Sequence, residues 1–313
     1  MTHRIRLSLD VGTYGPIATA QSLLELAALA ESADFDSVWL ADHVVFPKTY
    51  ASRYPYSADG AFPTPGEDPV FEPVATMGVL IGATRRVRIG TAVLVMPYRN
   101  PVVLGKMFAT YDQFSSGRVM LGAGVGWLEE EFRALDARDF ANRGAVTDEY
   151  VEVFKRVAGG CEVSFDGAQY QLAPVFAVPG SVQRPHPPVL IGGTTSRALE
   201  RVARHGDGWI SVALSPRALA PKLARLAEYC AQAGRDLASL RLCHKLFISL
   251  GEARIGMDGE REPGTGSAVQ IRDDLVQLAD LGYEEVIVRY RGDSTEEQVR
   301  QLSEFVDQVA TGL

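Results

Sequence analysis

A chain of 313 residues, 46% hydrophobic and 22% charged, is long enough for one large domain or two small ones and apolar enough to fill a core, which excludes wholesale disorder. A formal net charge of −8 and a pI near 5.3 exclude sequence-blind nucleic-acid binding, which needs a basic surface, but leave room for a small anionic ligand in a local pocket. Cys161, Cys230 and Cys243 form no CxxC pair, no apolar run approaches the roughly 18 residues of a membrane helix, and MTHRIRLSLD has no signal-peptide core, so the expectation is a cytoplasmic protein with free thiols and no membrane contact.

Ile5 to Leu9 reads as a first strand, followed by a loop at Gly12, Gly15 and Pro16. Leu23, Leu24, Ala27, Ala30 and Ala33 mark one face of a helix. Ser37 to Ala41 is a second strand that runs straight into Asp42 and His43. From Val44 to Asp68 the chain is a long loop with four prolines and rings at Phe46, Tyr50, Tyr54 and Tyr56. Loops of that length are uncommon unless they serve a site. Glu72 to Ala83 reads as the second helix.

Val87 to Met96 is almost unbroken in apolar residues, as in a parallel strand covered on both faces. Pro97 and Pro101 bracket a turn, Val103, Met107, Tyr111 and Phe114 follow at helical spacing, and Gly117 stops that helix. Val119 to Gly122 is a fourth strand, ending in the glycine-rich loop Gly122-Ala123-Gly124-Val125-Gly126. Thr147 and Asp148 are placed to cap a helix carrying Tyr150, Val153, Phe154 and Val157. Gly159 to Pro188 breaks the rhythm with a hairpin-like piece from Phe165 to Tyr170.

Strands follow at Val189–Ile191, at Gly208–Ile210, over Leu240–Leu250 and over Glu285–Arg289. Helical faces come after each, at Ala198–Ala203, Leu219–Ala233, Ile271–Ala279 and Leu302–Val309. Gly251 to Gly266 reads as loop, and Ser294 with Glu297 as a capping box for the last helix. Eight strands each followed by a helix point to a (β/α)8 TIM barrel of the α/β class, a single domain over residues 1–313 with an insertion at about 159–188 before strand 5. The competing doubly wound sheet usually opens on a GxGxxG loop, which the first strand here lacks.

In a barrel the chemistry lies at the C-terminal ends of the strands. That rule selects Asp42 and His43, Leu94 to Met96, Gly122 to Trp127, Gly192 to Ser196 and Trp209 to Ser211. His43 can exchange a proton near neutral pH, or it can be structural, paired with Asp42 or a backbone carbonyl. No HxH or HExxH exists, so no metal is expected. Gly192-Gly193-Thr194-Thr195-Ser196 offers amides and hydroxyls at a helix N-terminus, which suits a phosphate and equally suits ordinary capping. Gly122 to Gly126 is either a close approach to a flat ligand or a tight turn. Glu129, Glu130 and Glu131 read as charge compensation at a helix N-terminus.

These residues also carry a resemblance. DSVWLADHVVFP (Asp36 to Pro47), RIGTAVLVMPYRNPVVLGK (Arg88 to Lys106), GRVMLGAGVGWLEEEF (Gly117 to Phe132), QRPHPPVLIGG (Gln183 to Gly193) and GDGWI (Gly206 to Ile210) make the chain resemble the luciferase-like monooxygenase superfamily, most of all its coenzyme F420-dependent oxidoreductases. The resemblance implies a non-prolyl cis peptide at Ala92–Val93, in a strand-3 bulge behind the cofactor's ring. It implies Asp42 near the ring, His43 as proton donor, Val125 and Gly126 along the cofactor's side chain, and Gly192, Gly193, Thr195 and Ser196 at its phosphate. A sugar-phosphate dehydrogenase of the family carries an acid–base glutamate where this chain has Trp127, which argues against that substrate and for a more apolar pocket.

The function expected on this resemblance is hydride transfer between coenzyme F420 and a small alcohol, carbonyl compound or activated alkene, by a homodimer. The alternatives are an FMN-dependent monooxygenase using molecular oxygen and a non-catalytic flavin- or deazaflavin-binding protein.

Overall fold

Eight parallel strands close into a ring in the computed structural model, which describes residues 5–57, 59–64, 66–256, 259–290, 292 and 294–312. Pro65 of the first long loop and residues 257 and 258 of the second lie outside the described residues. In chain order the elements are β1 (Arg6–Asp10), α1 (Ala20–Ser32), β2 (Ser37–Leu40), α2 (Pro73–Ala83), β3 (Arg88–Thr91), β4 (Leu94–Val95), α3 (Pro101–Ser115), β5 (Val119–Gly124), α4 (Glu129–Ala134) and α5 (Arg143–Gly159). There follow β6 (Glu162–Asp166), β7 (Gln171–Phe176), β8 (Val189–Gly192), α6 (Ser196–His205), β9 (Gly208–Val212), α7 (Pro216–Gln232), β10 (Arg241–Leu250), β11 (Thr265–Gly266), α8 (Ala268–Asp280), β12 (Glu285–Tyr290) and α9 (Thr295–Gln308). The ring runs β1-β2-β3-β5-β8-β9-β10-β12 and closes where β12 pairs with β1.

The near-continuous apolar strands follow from this closure, because each has a face inside the barrel and a face under the helices. On β12, Ile287 points inward, into a cluster with Trp39, Ala92, Met120, Leu190, Ile210 and Cys243, while Val286 and Val288 join the outer core. That outer core takes Leu26, Met77, Phe108, Phe154, Leu199, Leu226, Leu275 and Phe305 from the helices. Each such side chain contributes roughly 1.5–3 kcal/mol on burial. The insertion before β8 is an antiparallel pair, β6 with β7, outside the ring.

Four local expectations change. The Val87–Met96 run is broken at Ala92–Val93, where a non-prolyl cis peptide separates β3 from β4. The fourth barrel strand runs on to Gly124, because Ala123 and Gly124 pair with Leu94 and Val95 beyond that break. Thr147 caps nothing: α5 begins at Arg143, and the buried Thr147 hydroxyl donates to the Arg143 carbonyl one turn back. Ser294 accepts the Glu297 amide at the start of α9, while the reciprocal box forms at α8, between Ser267 and Gln270.

Candidate active site

His43 follows β2 at the C-terminal mouth of the barrel and is buried. Its partner is neither Asp42 nor a backbone carbonyl: His43 Nδ1 lies 2.7 Å from Glu131 Oε2 on α4. Glu131 is fully buried and accepts on every side, from the Val44 amide at 2.7 Å, the Val45 amide at 3.2 Å and the Tyr98 hydroxyl at 3.0 Å. A carboxylate surrounded by donors takes its fourth bond from Nδ1–H, so Nε2 is the nitrogen left to face a substrate. Glu131 therefore does what the charge-compensation reading missed. A detectable signal existed: Leu128, Glu131 and Leu135 share one helical face, so this glutamate turns toward the core.

The adjacent carboxylate has another task. Asp42 Oδ2 accepts the Val95 amide at 2.7 Å, and Arg99 grips both its oxygens at 2.7 and 2.9 Å while reaching Glu72 at 2.5 Å. Burial works against the Arg99 cation, but Asp42 and Glu72 outweigh it and push its pKa up. Asp42 thus braces the chain just past the Ala92–Val93 bond.

The glycines of the next two strands make room for that bulge. A Cβ on Gly192 would come within 2.6 Å of Val93 Cγ1, and one on Gly124 would strike Val93 Cγ2. Gly126, at φ +79°, sits against Phe132 and Val95. Part of the glycine pattern thus serves protein packing, with Val93 seated between two strands. Ala92 and Val93 join the apolar cluster inside the barrel, a floor suited to a flat ring.

At the end of β8, Gly192, Gly193 and Thr194 are half-buried and Thr195, Ser196 and Arg197 exposed. Thr195 caps α6 by accepting the Ala198 amide, and Lys222 donates to the Thr194 carbonyl at 3.0 Å. Exposed hydroxyls on a helix of ten residues, flanked by Arg197 and Lys222, fit a phosphate. Val125 and Gly126, between the end of β5 and the start of α4, are half-buried.

The long loop after His43 covers the mouth with rings. His43 meets Phe46 at 4.4 Å, Phe62 at 5.1 Å, Tyr14 at 5.9 Å and Trp127 at 6.1 Å between centroids. Trp127 stacks on Phe62 at 5.7 Å, so this position forms part of an apolar wall. Glu130 fastens the loop by accepting the Ala51 amide and the Ser52 hydroxyl, both at 2.7 Å. Among the described residues no group of three or more His, Cys, Asp and Glu side chains is arranged for a metal, and no helix is long and apolar enough to cross a membrane.

A profile of the luciferase-like monooxygenase family matches residues 2–255. The chain belongs to that family. It is 32% identical over 213 residues to an uncharacterized protein of Mycobacterium tuberculosis (strain ATCC 25618 / H37Rv), covering 67% of this chain and 74% of that one. It is 29% identical over 245 residues to the F420-dependent glucose-6-phosphate dehydrogenase of Nocardia farcinica (strain IFM 10152), covering 75% and 66%. With the FMNH(2)-dependent dimethylsulfone monooxygenase of Pseudomonas putida it shares 29% identity over 148 residues, covering 47% and 40%. An F420-dependent secondary alcohol dehydrogenase, solved in complex with an F420-acetone adduct, superposes with a TM-score of 0.76 at 18% identity over 98% of this chain and 99% of its own, which shows the shared barrel. Two of these relatives are named for coenzyme F420 and one for FMNH(2).

Proposed function

We propose that the protein is a coenzyme F420-dependent oxidoreductase that moves a hydride between the deazaflavin and an alcohol, carbonyl compound or activated alkene. The observation that carries this reading is the His43–Glu131 pair in an aromatic mouth. Such a pair offers a proton donor and acceptor at Nε2, which is what interconversion of an alcohol and a carbonyl needs at oxygen. The greater share of this chain aligned with the F420-dependent relative than with the FMNH(2)-dependent one supports the same choice.

When bound, the deazaflavin supplies the carbon that accepts or gives the hydride. Ala92 and Val93 would support its ring, Val125 and Gly126 would lie along its side chain, and Gly192, Gly193, Thr195 and Ser196 would hold its phosphate, a reading that the apolar floor and the exposed hydroxyls at the start of α6 support. Asp42 keeps the supporting segment in place through Arg99 and the Val95 amide. Nε2 of His43 gives the proton to the substrate oxygen in reduction and takes it in oxidation, while Glu131 stabilises the imidazolium and fixes the ring. Phe46, Phe62 and Trp127 keep water from the reacting carbon.

Titration of the purified protein with coenzyme F420 and separately with FMN, read by cofactor absorbance and protein fluorescence, tests the choice. Tight F420 binding with weak FMN binding is the expected result, and His43→Ala should keep that binding while losing about 10²–10⁴-fold in turnover. Preference for FMN would move the reaction to oxygen-dependent chemistry, and unchanged turnover in His43→Ala would remove that residue from the mechanism.

A further inference from the structure

The barrel mouth holds a second group of charged side chains that the proposed proton transfer does not use. Asp10, at the end of β1, lies between Lys245 of β10 and Arg289 of β12. Its Oδ1 accepts Arg289 Nη1 at 2.9 Å and the Gly12 amide at 2.9 Å, and its Oδ2 pairs with the Lys245 ammonium. Among the described residues Asp10 is the only carboxylate ion-paired with either cation. All three side chains are enclosed, exposed by 1% at Asp10, 9% at Lys245 and 11% at Arg289. Among the described residues, two cations on one anion leave this group with a net charge of +1 in a place where water screens it poorly.

A buried charge is retained without a partner only at a cost, and replacing it with an apolar side chain is often neutral or stabilising. Asp10 gives one oxygen to Arg289 and the other to Lys245, so the surplus charge belongs to the group of three and not to one member. The chain as a whole is at −8, so this is no extension of a basic surface. The location is the functional end of the barrel. The Arg289 guanidinium lies over the Tyr14 ring at 5.3 Å, and the other neighbours of Tyr14 are His43 at 5.9 Å and Phe62 at 5.3 Å. One ring, Tyr14, thus touches both the Arg289 cation of this group and the proposed proton donor.

We propose that Lys245 and Arg289 bind the carboxylate of an apolar-bodied substrate, whose body lies along Tyr14 and Phe62 and whose reacting carbon stands before His43. A net charge of +1 on the group among the described residues matches a monoanion better than a dianionic phosphate ester. An Arg and a Lys converging on one point suit the two oxygens of a carboxylate. The aromatic wall excludes a strongly hydrated sugar and accepts an aryl or alkyl chain. That the anion belongs to a substrate rests on the oxidoreductase reading; the anion preference does not.

The test is calorimetric titration of the cofactor-free protein at fixed ionic strength with 3-phenylpropanoate, its neutral amide and 2-phenylethyl phosphate. The expected result is that the acid binds roughly tenfold or more tightly than the amide and no more weakly than the phosphate ester. Lys245→Met should bring the acid's affinity down to the amide's. Equal affinity for acid and amide in the wild type overturns the proposal before any variant is made. So does a preference that survives Lys245→Met, or a phosphate ester that binds much the tightest. Since no deazaflavin is present, an acid preference in a protein that fails to bind F420 would sink the reaction and leave this site standing.

Discussion

Glu131 holds His43 through a single bond of 2.7 Å, and its remaining lone pairs are filled by two amides and a phenol. Glu131→Gln keeps the volume but presents an NH2 to groups that are all donors, so the ring loses its fixed orientation. The expected outcome is a fall in kcat of about 10²-fold or more with F420 affinity unchanged, read by steady-state kinetics beside a cofactor titration. A fall in KM or in cofactor affinity alone, with kcat kept, would make Glu131 a fold residue only. The nearby Glu130 predicts a different phenotype. Its carboxylate accepts the Ala51 and Ser52 amides and the Ser52 hydroxyl, and these donors hold its pKa at about 2 against the burial that raises it. Glu130→Ala should leave the catalytic pair intact and speed protease cleavage near residues 50–57, as seen by limited proteolysis; unchanged cleavage would show that the rings alone hold the loop. His43 could be recognised in the sequence because it ends an apolar strand, where a barrel puts its chemistry. Its partner stands 88 positions away in a run of three identical glutamates, and only the helical phase set by Leu128 and Leu135 tells them apart.

At the scale of the elements, the strand-3 break and the glycines of β5 and β8 form one unit. Val93 fills the space that Gly124 and Gly192 leave, and the Asp42–Arg99 pair secures the segment that follows. Gly192→Ala should destabilise the protein by about 1–3 kcal/mol, because the added methyl meets Val93 Cγ1 at 2.6 Å. Val93→Ala removes that methyl, so the double variant should recover part of the loss. Urea unfolding of the four proteins gives the coupling energy, and strict additivity would show that the two side chains do not share the space. The elements themselves were largely readable, since closure of the barrel makes each strand a short apolar run and each helix a one-sided stripe. What escaped was where one element yields to another. Thr147 looks like a cap because its type favours caps, yet Asn142 and Arg143 start α5 earlier. The two pieces of the third strand look like one run because both are apolar; the break lies in the backbone, and only the family resemblance pointed to it.

For the whole molecule, three buried titratable groups in the barrel wall make stability depend on acid in two overlapping windows. Burial lowers the pKa of His244, packed by Ser211 and Tyr283, from 6.5 to about 3. Burial opposes ionisation of Asp10 and Glu285, but Lys245 and Arg289 for the one and Arg241, Ser37 and Ser8 for the other hold both pKa values at about 2. The unfolded chain binds the His244 proton once the pH falls below about 6.5, while the folded chain does so only near 3. Falling pH therefore favours unfolding across that interval. The carboxylates act in the same direction but later, because their ordinary values are 3.8 and 4.5 and their folded values about 2. From pH 6.5 down to about 4.5, of these three only His244 contributes, with a limiting slope of about 1.4 kcal/mol per pH unit. Below that the slope steepens as Glu285 and then Asp10 join. Urea midpoints measured from pH 8 to pH 4 should show the first window in the wild type and a flatter curve in His244→Gln, with the two slopes still differing at pH 4 because the folded barrel takes up the His244 proton only near pH 3. A wild-type curve that is flat between pH 6.5 and 4.5 would mean that His244 gains its proton in the folded barrel, against the burial that surrounds it.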